Sequence, residues 1–131
     1  MNRILAKVLG VAGGVAAIIG LASGGKLHGI LNTDPSLDVI RLVMAFAFLY
    51  AGFEATSTKV ADIILISTGL FYFLLSLAGI ADPRVFGLFP SGLTGLDNGL
   101  HLIVGLAATW AGIYRSSNRT AVQQQTHAAG R

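Results

Sequence analysis

Residues 60–81, VADIILISTGLFYFLLSLAGIA, decide the fold, because Asp62 is the one charged residue in an otherwise apolar run. A helix needs about 20 apolar residues to cross a hydrocarbon core about 30 Å thick, and this stretch is long enough. Three further stretches have the same character, at residues 4–23, 37–54 and 99–114. The sequence therefore predicts an all-α protein with four membrane-spanning helices.

Helix start signals extend two of these spans. Asp34 followed by Pro35 is typical of an N-cap with proline at the first helical position, and Thr94 with Asp97 has the spacing of a capping box. The predicted four-helix domain at residues 1–114 then has spans at 4–23, 35–54, 60–81 and 95–114. Pro83 and Pro90 lie between the spans and Pro35 is the first residue of one, and at all three positions the N–H that proline lacks breaks no helical hydrogen bond.

Composition excludes several classes of protein. Of 131 residues, 53% are hydrophobic and only 11% are charged, and the mean hydropathy is +0.71. A soluble domain of this size could not bury so much apolar surface, and a disordered or nucleic-acid-binding chain would be more polar. The chain has no cysteine, which excludes disulfides and thiolate metal sites. We expect a lipid bilayer as its surroundings, with no nucleic acid, metal or cofactor bound.

Basic residues predict the orientation. Four spans place both termini on one side of the membrane, and six basic residues fall on that side against three on the other. The positive-inside rule then predicts cytoplasmic termini. The six are Arg3, Lys7, Lys59, Arg115, Arg119 and Arg131, and the three are Lys26, Arg41 and Arg84. In an alternative interpretation residues 1–24 are a cleaved signal peptide, but their apolar run is longer than such segments usually have.

Residues 115–131 form a polar tail rich in Ser, Gln and Thr. The tail has no apolar period, so the sequence predicts a mobile cytoplasmic segment.

An internal repeat is suggested by an offset of 60 residues, which aligns RLVMAFAFLYAG (41–52) with HLIVGLAATWAG (101–112). The same offset pairs Asp38 with Asn98 and Asp34 with Thr94, while upstream GLA (20–22) resembles SLA (76–78). We interpret the chain as two helix–loop–helix units that enter the membrane in parallel, related by a pseudo-two-fold axis along the membrane normal. The alternative is a chance alignment of apolar helices.

Residues 96–105, LDNGLHLIVG, followed by Gly112, resemble the signature helix of a bacterial membrane family called "domain of unknown function 4383". Proteins of that family are short four-helix proteins with Asp-Asn-x-x-His-Leu-x-x-Gly in the last span and a weaker Asn-x-x-His in the second. Here Asp38 and Arg41 replace that Asn and His. The resemblance covers residues 27–114 and implies a four-helix bundle in the bacterial inner membrane, without implying an activity.

A candidate polar layer consists of Asp38, Arg41, Asp97, Asn98 and His101. Asp97 and His101 lie four residues apart on one helical face, so they could form a titratable pair that relays a proton or binds a headgroup. Alternatively, Asp97 caps the helix and His101 bonds a neighbouring helix. Arg41 could pair with Asp97 across the bundle and bind an anion or a quinone oxygen, or it could reach the headgroups or pair with Asp38.

Small residues predict helix contact faces, because close backbone approach drives helix association in lipid. Such stripes occur on the first and fourth helices, at Gly10, Gly14, Ala17, Gly20, Gly24, Gly105, Ala108 and Gly112. The first helix has glycine on more than one face, which leaves a surface for a second protein.

No set of catalytic or metal-ligating residues is recognisable, and a haem held by His28 and His101 is disfavoured. We expect a non-catalytic accessory or scaffold subunit of a larger membrane complex, or a homo-oligomer. One alternative is a small carrier or channel for protons or a small solute that uses the Asp38/Arg41 and Asp97/His101 layer. Another is a lipid- or quinone-binding redox accessory.

Overall fold

The computed structural model describes residues 2–23 and 34–129 of the chain. These residues contain four helices, joined by turns and loops, and no strands. The helices are α1 (Asn2–Ser23), α2 (Pro35–Phe53), α3 (Thr58–Ala81) and α4 (Gly95–Ala129). The predicted all-α class is confirmed. The predicted packing residue Gly24, and also His28, lie outside the described residues.

Three helices are long and apolar enough to cross a membrane, over Arg3–Ser23, Pro35–Phe53 and Thr58–Ala81. This confirms the prediction of transmembrane helices. The fourth helix is not among them, because Asp97, Asn98 and His101 lower the mean hydropathy of its first half and the polar tail that of its second half.

Helix starts follow local hydrogen bonding. Ser57 caps α3, since its Oγ accepts a hydrogen bond from the backbone N–H of Val60 at 3.2 Å. Asp34 occupies the N-cap position of α2, as its spacing to Pro35 predicts, but its side chain makes no capping bond. The Asp34 carboxylate instead accepts bonds from the backbone N–H and hydroxyl of Ser91, at 2.9 and 2.6 Å. It thereby ties the start of α2 to the loop before α4.

Packing proceeds in pairs: α1 lies mainly on α2, α3 lies mainly on α4, and α2 and α3 join the two pairs. By contrast, α1 and α4 touch only sparsely. Close approach occurs at glycines, where an added Cβ would lie 2.7 Å from Cγ of Leu49 at Gly10 and 2.6 Å from the backbone nitrogen of Phe73 at Gly105. These glycines let the helix backbones come together, as the small-residue stripes predict.

Gly14 differs from the other stripe residues, since a Cβ there would meet Cβ of Ala45 at 3.8 Å, an ordinary contact distance. Gly20 and Gly112 are crowded: a Cβ would lie 2.5 Å from Cγ of Asp38 and 2.5 Å from Cγ1 of Ile66, respectively. The stripe on α1 therefore packs tightly at Gly10 and Gly20 and loosely at Gly14, while Ala17 is fully buried.

The loop between α3 and α4 folds back on the bundle around Asp82. Its carboxylate accepts hydrogen bonds from the backbone N–H groups of Arg84 and Phe86, at 3.0 and 2.8 Å. Val85 and Phe86 have φ values of 47° and 59°, in the left-handed region that non-glycine residues rarely adopt. The turn buries Phe89 completely and leaves Phe86 exposed at its tip.

The polar tail is helical, because α4 continues without a break through Ala129. This differs from the expected mobile segment. Residues 115–129 contain no glycine or proline that would end the helix, and Arg119 anchors its first turns to α3 by an ion pair with Asp62. At 35 residues, α4 is about 52 Å long, well beyond the thickness of a hydrocarbon core.

Candidate functional site

The polar layer is organised around Arg41. Its Nη1 donates to Oδ1 of Asp38, one turn earlier on α2, at 2.9 Å. Its Nη2 donates to Oδ1 of Asp97 on α4 at 2.5 Å. Both carboxylates are fully buried and Arg41 is 7% exposed. Arg41 therefore makes both of the ion pairs that the sequence offered as alternatives.

Asp97 is held in place by its own helix start. Its Oδ2 accepts bonds from the backbone N–H and hydroxyl of Thr94, at 2.9 and 2.7 Å, and Oγ1 of Thr94 accepts from the backbone N–H of Asp97 at 3.1 Å. This is the reciprocal arrangement of a capping box, with Asp in the position of the usual Glu. One oxygen of Asp97 thus caps α4 while the other holds Arg41.

This arrangement makes Arg41 a clamp between the two helix pairs. Two carboxylates and one guanidinium give the cluster a formal charge of −1, in surroundings where a lone charge costs several kcal/mol. Both carboxylates share the one guanidinium, so removing Arg41 leaves two buried carboxylates without a cation. The clamp is therefore a strong constraint on where α2 and α4 lie relative to each other.

His101 lies one turn beyond Asp97 and packs against aromatic rings. Its ring centroid is 5.1 Å from that of Tyr72, with the planes 19° apart, and Tyr72 in turn lies 6.4 Å from the ring of Phe48. His101 is 5% exposed, and its buried Nδ1 has no hydrogen-bond partner among the described residues. Sequence reasoning missed Tyr72 and Phe48, which sit in apolar runs with no local sign that they would meet His101.

Asn98 points away from the clamp, toward α3. Its backbone oxygen accepts a hydrogen bond from Ser76 Oγ at 2.9 Å, and its side-chain amide lies against Gly79. Of the five residues predicted as a polar layer, the structure brings Asp38, Asp97 and His101 together around Arg41 and turns Asn98 to the α3–α4 contact.

A cavity of about 150 Å³ lies beside the clamp, between α1 and α4. Its polar end is formed by Arg41, Asp97 and His101, and the ring of Tyr72 forms part of its wall. The α1 side is lined by small residues, among them Gly13 and Ala16. The cavity therefore combines a mostly apolar lining with a few convergent polar groups, as small-molecule sites do.

A second ion pair, with a buried carboxylate and a partly exposed guanidinium, lies at the other end of the bundle. Asp62 of α3 is 1% exposed and forms an ion pair with Arg119 of α4, which also donates to the hydroxyl of Thr58. The sequence did not predict this pair, because Arg119 lies in a tail that was expected to be mobile. A helical tail brings Arg119 within reach.

Basic residues gather at this same end. Arg3 donates to the backbone oxygen of Ala55 at 2.6 Å, in the turn between α2 and α3, and Lys7 lies 4.2 Å from the ring centroid of Phe53.

Within residues 2–23 and 34–129, no group of three or more His, Asp or Glu side chains could hold a metal ion.

Comparison with known proteins finds no matching family model, no similar curated protein and no similar solved structure.

Proposed function

We propose that this chain is a four-span integral membrane protein of the bacterial inner membrane, built from two parallel repeats with both termini in the cytoplasm. It works without catalysis, as an accessory or scaffold subunit of a larger membrane complex or as a homo-oligomer.

The positions of the clamp and of the Arg119–Asp62 ion pair support a fourth span. Asp97 and Arg119 are about 33 Å apart along the axis of α4, close to the thickness of a hydrocarbon core. Between them α4 presents Trp110 and Tyr114, stacked at 5.4 Å and exposed, in the part nearer Arg119. Aromatic residues of this kind concentrate at membrane interfaces. The low hydropathy of α4 then reflects inward-facing polar groups.

Equivalent contacts support the two-repeat architecture. Each tight contact between α1 and α2 has a counterpart between α3 and α4, displaced by 59 residues in the first helix and 60 in the second. The matching pairs are Gly10–Leu49 with Gly69–Thr109, Gly20–Asp38 with Gly79–Asn98, and Lys7–Gly52 with Ile66–Gly112. For the upstream helices, these contacts favour an offset of 59 over the 56 that aligned GLA with SLA.

The pattern of buried and exposed positions also repeats, at the offset of 60 residues. Residues 41–53 and 101–113 have the same order of buried, half-buried and exposed positions. A chance alignment of two apolar helices would not reproduce both the contacts and the burial, which favours a duplicated unit.

The uncovered face of α1 is the observation that carries the proposed role in assembly. Fewer residues of its span are buried, 22% against 39% in α2 and in α3. Its outer ridge consists entirely of β-branched side chains, each more than half exposed: Ile4, Val8, Val11, Val15 and Ile18. Such side chains have little rotamer freedom to lose in a helix, so they pack against another helix at low entropic cost.

The clamp argues against the carrier alternative. Among the described residues, the two ion clusters lie about 33 Å apart along α4, and the polar side chains between them are too few and too scattered to form a continuous path. The charged groups are engaged in joining helices, which suits a scaffold.

Photo-cross-linking from single cysteines tests the proposal, since the chain has no cysteine of its own. Val11→Cys places a thiol on the α1 ridge, and Val43→Cys is its matched control on the outer face of α2, because the two valines are 55% and 56% exposed. A benzophenone attached to each thiol is activated in native membranes. We expect one protein product of defined mass from Val11→Cys, either a dimer or a single larger partner, and lipid adducts alone from Val43→Cys. Equal protein products from both positions, or none from Val11→Cys, would contradict the proposal.

A further inference from the structure

The cavity between α1 and α4 lies where the two repeats differ most. With the offset of 59, Gly13 of α1 takes the place that Tyr72 occupies in α3, and with the offset of 60, Arg41 takes the place of His101. In the second repeat, the ring of Tyr72 stacks on His101. In the first repeat Gly13 supplies no ring to stack on Arg41, and Gly13 lines the cavity instead. The cavity thus adjoins the place of a missing aromatic side chain.

The volume of the cavity is suited to one six-membered ring. A cavity of about 150 Å³ is the size that holds a benzene molecule in an otherwise closed protein core. Phe48 and Tyr72 offer aromatic surfaces to such an occupant, and Ala45 and Val104 line it with apolar groups. A flat, largely apolar molecule suits this lining better than a solvated ion does.

One polar group in the cavity wall is buried without a hydrogen-bond partner in the part of the chain that the structure describes. His101 is 95% buried, lines the cavity, and its Nδ1 has no hydrogen-bond partner among the described residues. An unsatisfied buried nitrogen is costly, and a neutral imidazole nitrogen can donate to a carbonyl or accept from a hydroxyl. The formal charge of −1 on the neighbouring clamp disfavours an anionic occupant.

The route into the cavity is from the side. Ala12 and Ala16 of α1 and Leu100 of α4 line the cavity and are themselves exposed, at the seam where α1 and α4 touch only sparsely. In a four-span arrangement this seam opens to lipid, where apolar ring compounds concentrate.

We propose that this cavity binds one neutral single-ring molecule of the phenol or quinone class, taken from the membrane, whose hydroxyl or carbonyl oxygen hydrogen-bonds to Nδ1 of His101. The site is independent of the α1 outer ridge, so it stands or falls separately from the proposed role in assembly.

Binding is tested with phenol and benzene on the full chain in phosphatidylcholine nanodiscs, by following the ring signals of isotope-labelled histidine. His101→Leu identifies the signal of His101. We expect phenol to shift that signal saturably, and benzene to bind about tenfold more weakly because it lacks the hydroxyl.

Two variants with the same added side chain test whether phenol binds in the cavity. Gly13→Phe projects a ring into the cavity, whereas Gly14→Phe adds the same group at a neighbouring position that does not line it. We expect phenol binding at least about tenfold weaker in Gly13→Phe and unchanged in Gly14→Phe, with the helical content of both verified by circular dichroism. Equal binding of phenol and benzene, no saturable shift with either, or unimpaired binding by Gly13→Phe would overturn the proposal. If Gly13→Phe does not fold, the comparison of phenol with benzene in the unaltered chain decides it.

Discussion

Arg41→Met is the sharpest test of the clamp. The substitution keeps most of the side chain's length and apolar volume and removes the guanidinium that both Asp38 and Asp97 contact, at 2.9 and 2.5 Å. Since both carboxylates are fully buried, they lose compensation together. Breaking a buried ion pair by deleting one member costs about 3–5 kcal/mol of unfolding free energy, and here one deletion breaks two pairs. We therefore expect a loss at or above the upper end of that range.

The measurement is unfolding in mixed micelles by increasing SDS, followed by circular dichroism and by fluorescence of Trp110, the one tryptophan of the chain. Arg84→Met, in the exposed loop, is the control and should change the unfolding free energy by less than about 0.5 kcal/mol. The triple variant Arg41→Met, Asp38→Asn, Asp97→Asn removes all three charges and should be more stable than Arg41→Met alone. A loss from Arg41→Met no greater than that from Arg84→Met would refute the clamp.

Three further predictions concern packing, the tail and the orientation. Gly20→Ala should lower the midpoint of SDS unfolding and Gly14→Ala should not, because a Cβ at Gly20 would lie 2.5 Å from Cγ of Asp38 while one at Gly14 meets only Ala45, at 3.8 Å. Asp62→Asn should let trypsin cleave the tail after Arg115 and Arg119 several-fold faster than in the unaltered chain, since the ion pair that anchors Arg119 is lost; an unchanged rate would mean that the tail is held by other contacts. In intact cells an impermeant thiol reagent should label Leu88→Cys and spare Ser117→Cys, and labelling of the latter would reverse the orientation.

Local signals predicted the helices well. Apolar length located the three spans that meet the criteria for crossing a membrane, and the Thr94–Asp97 spacing identified the capping box that starts α4. Such signals depend on residues within one turn of each other, so one sequence is enough to recognise them. The end of α4 was not predictable in the same way, because the helix is anchored by Arg119 through a contact with Asp62, far away in the chain.

The sequence predicted only some of the residues of the candidate site. Charged and polar residues are easily recognised within apolar stretches of sequence. The structure does bring together Asp38, Arg41, Asp97 and His101. Their arrangement depends on how four helices pack, which local patterns do not specify. Nothing in the sequence distinguishes Tyr72 from other aromatic residues of the spans, or shows that Gly13 lies beside an unfilled volume.

In the proposed two-repeat architecture, the clamp has a consequence for the second repeat. If both units had the same polar residues, the charged side chains of each unit could pair within that unit. Instead, the offset of 60 residues pairs Asp38 with Asn98, Arg41 with His101, and the buried Asp97 with the buried Leu37. The three charges thus come from unmatched positions, so a single guanidinium joins a carboxylate from each repeat. The neutral counterpart, His101, has no carboxylate at the corresponding position, and its Nδ1 has no partner among the described residues. A buried polar group in that condition costs about 1–3 kcal/mol, a penalty that a fold optimised for stability alone would avoid by placing an apolar residue there. An occupant of the adjoining cavity with one hydrogen-bonding oxygen would remove the penalty, which connects the asymmetry of the repeats to ligand binding.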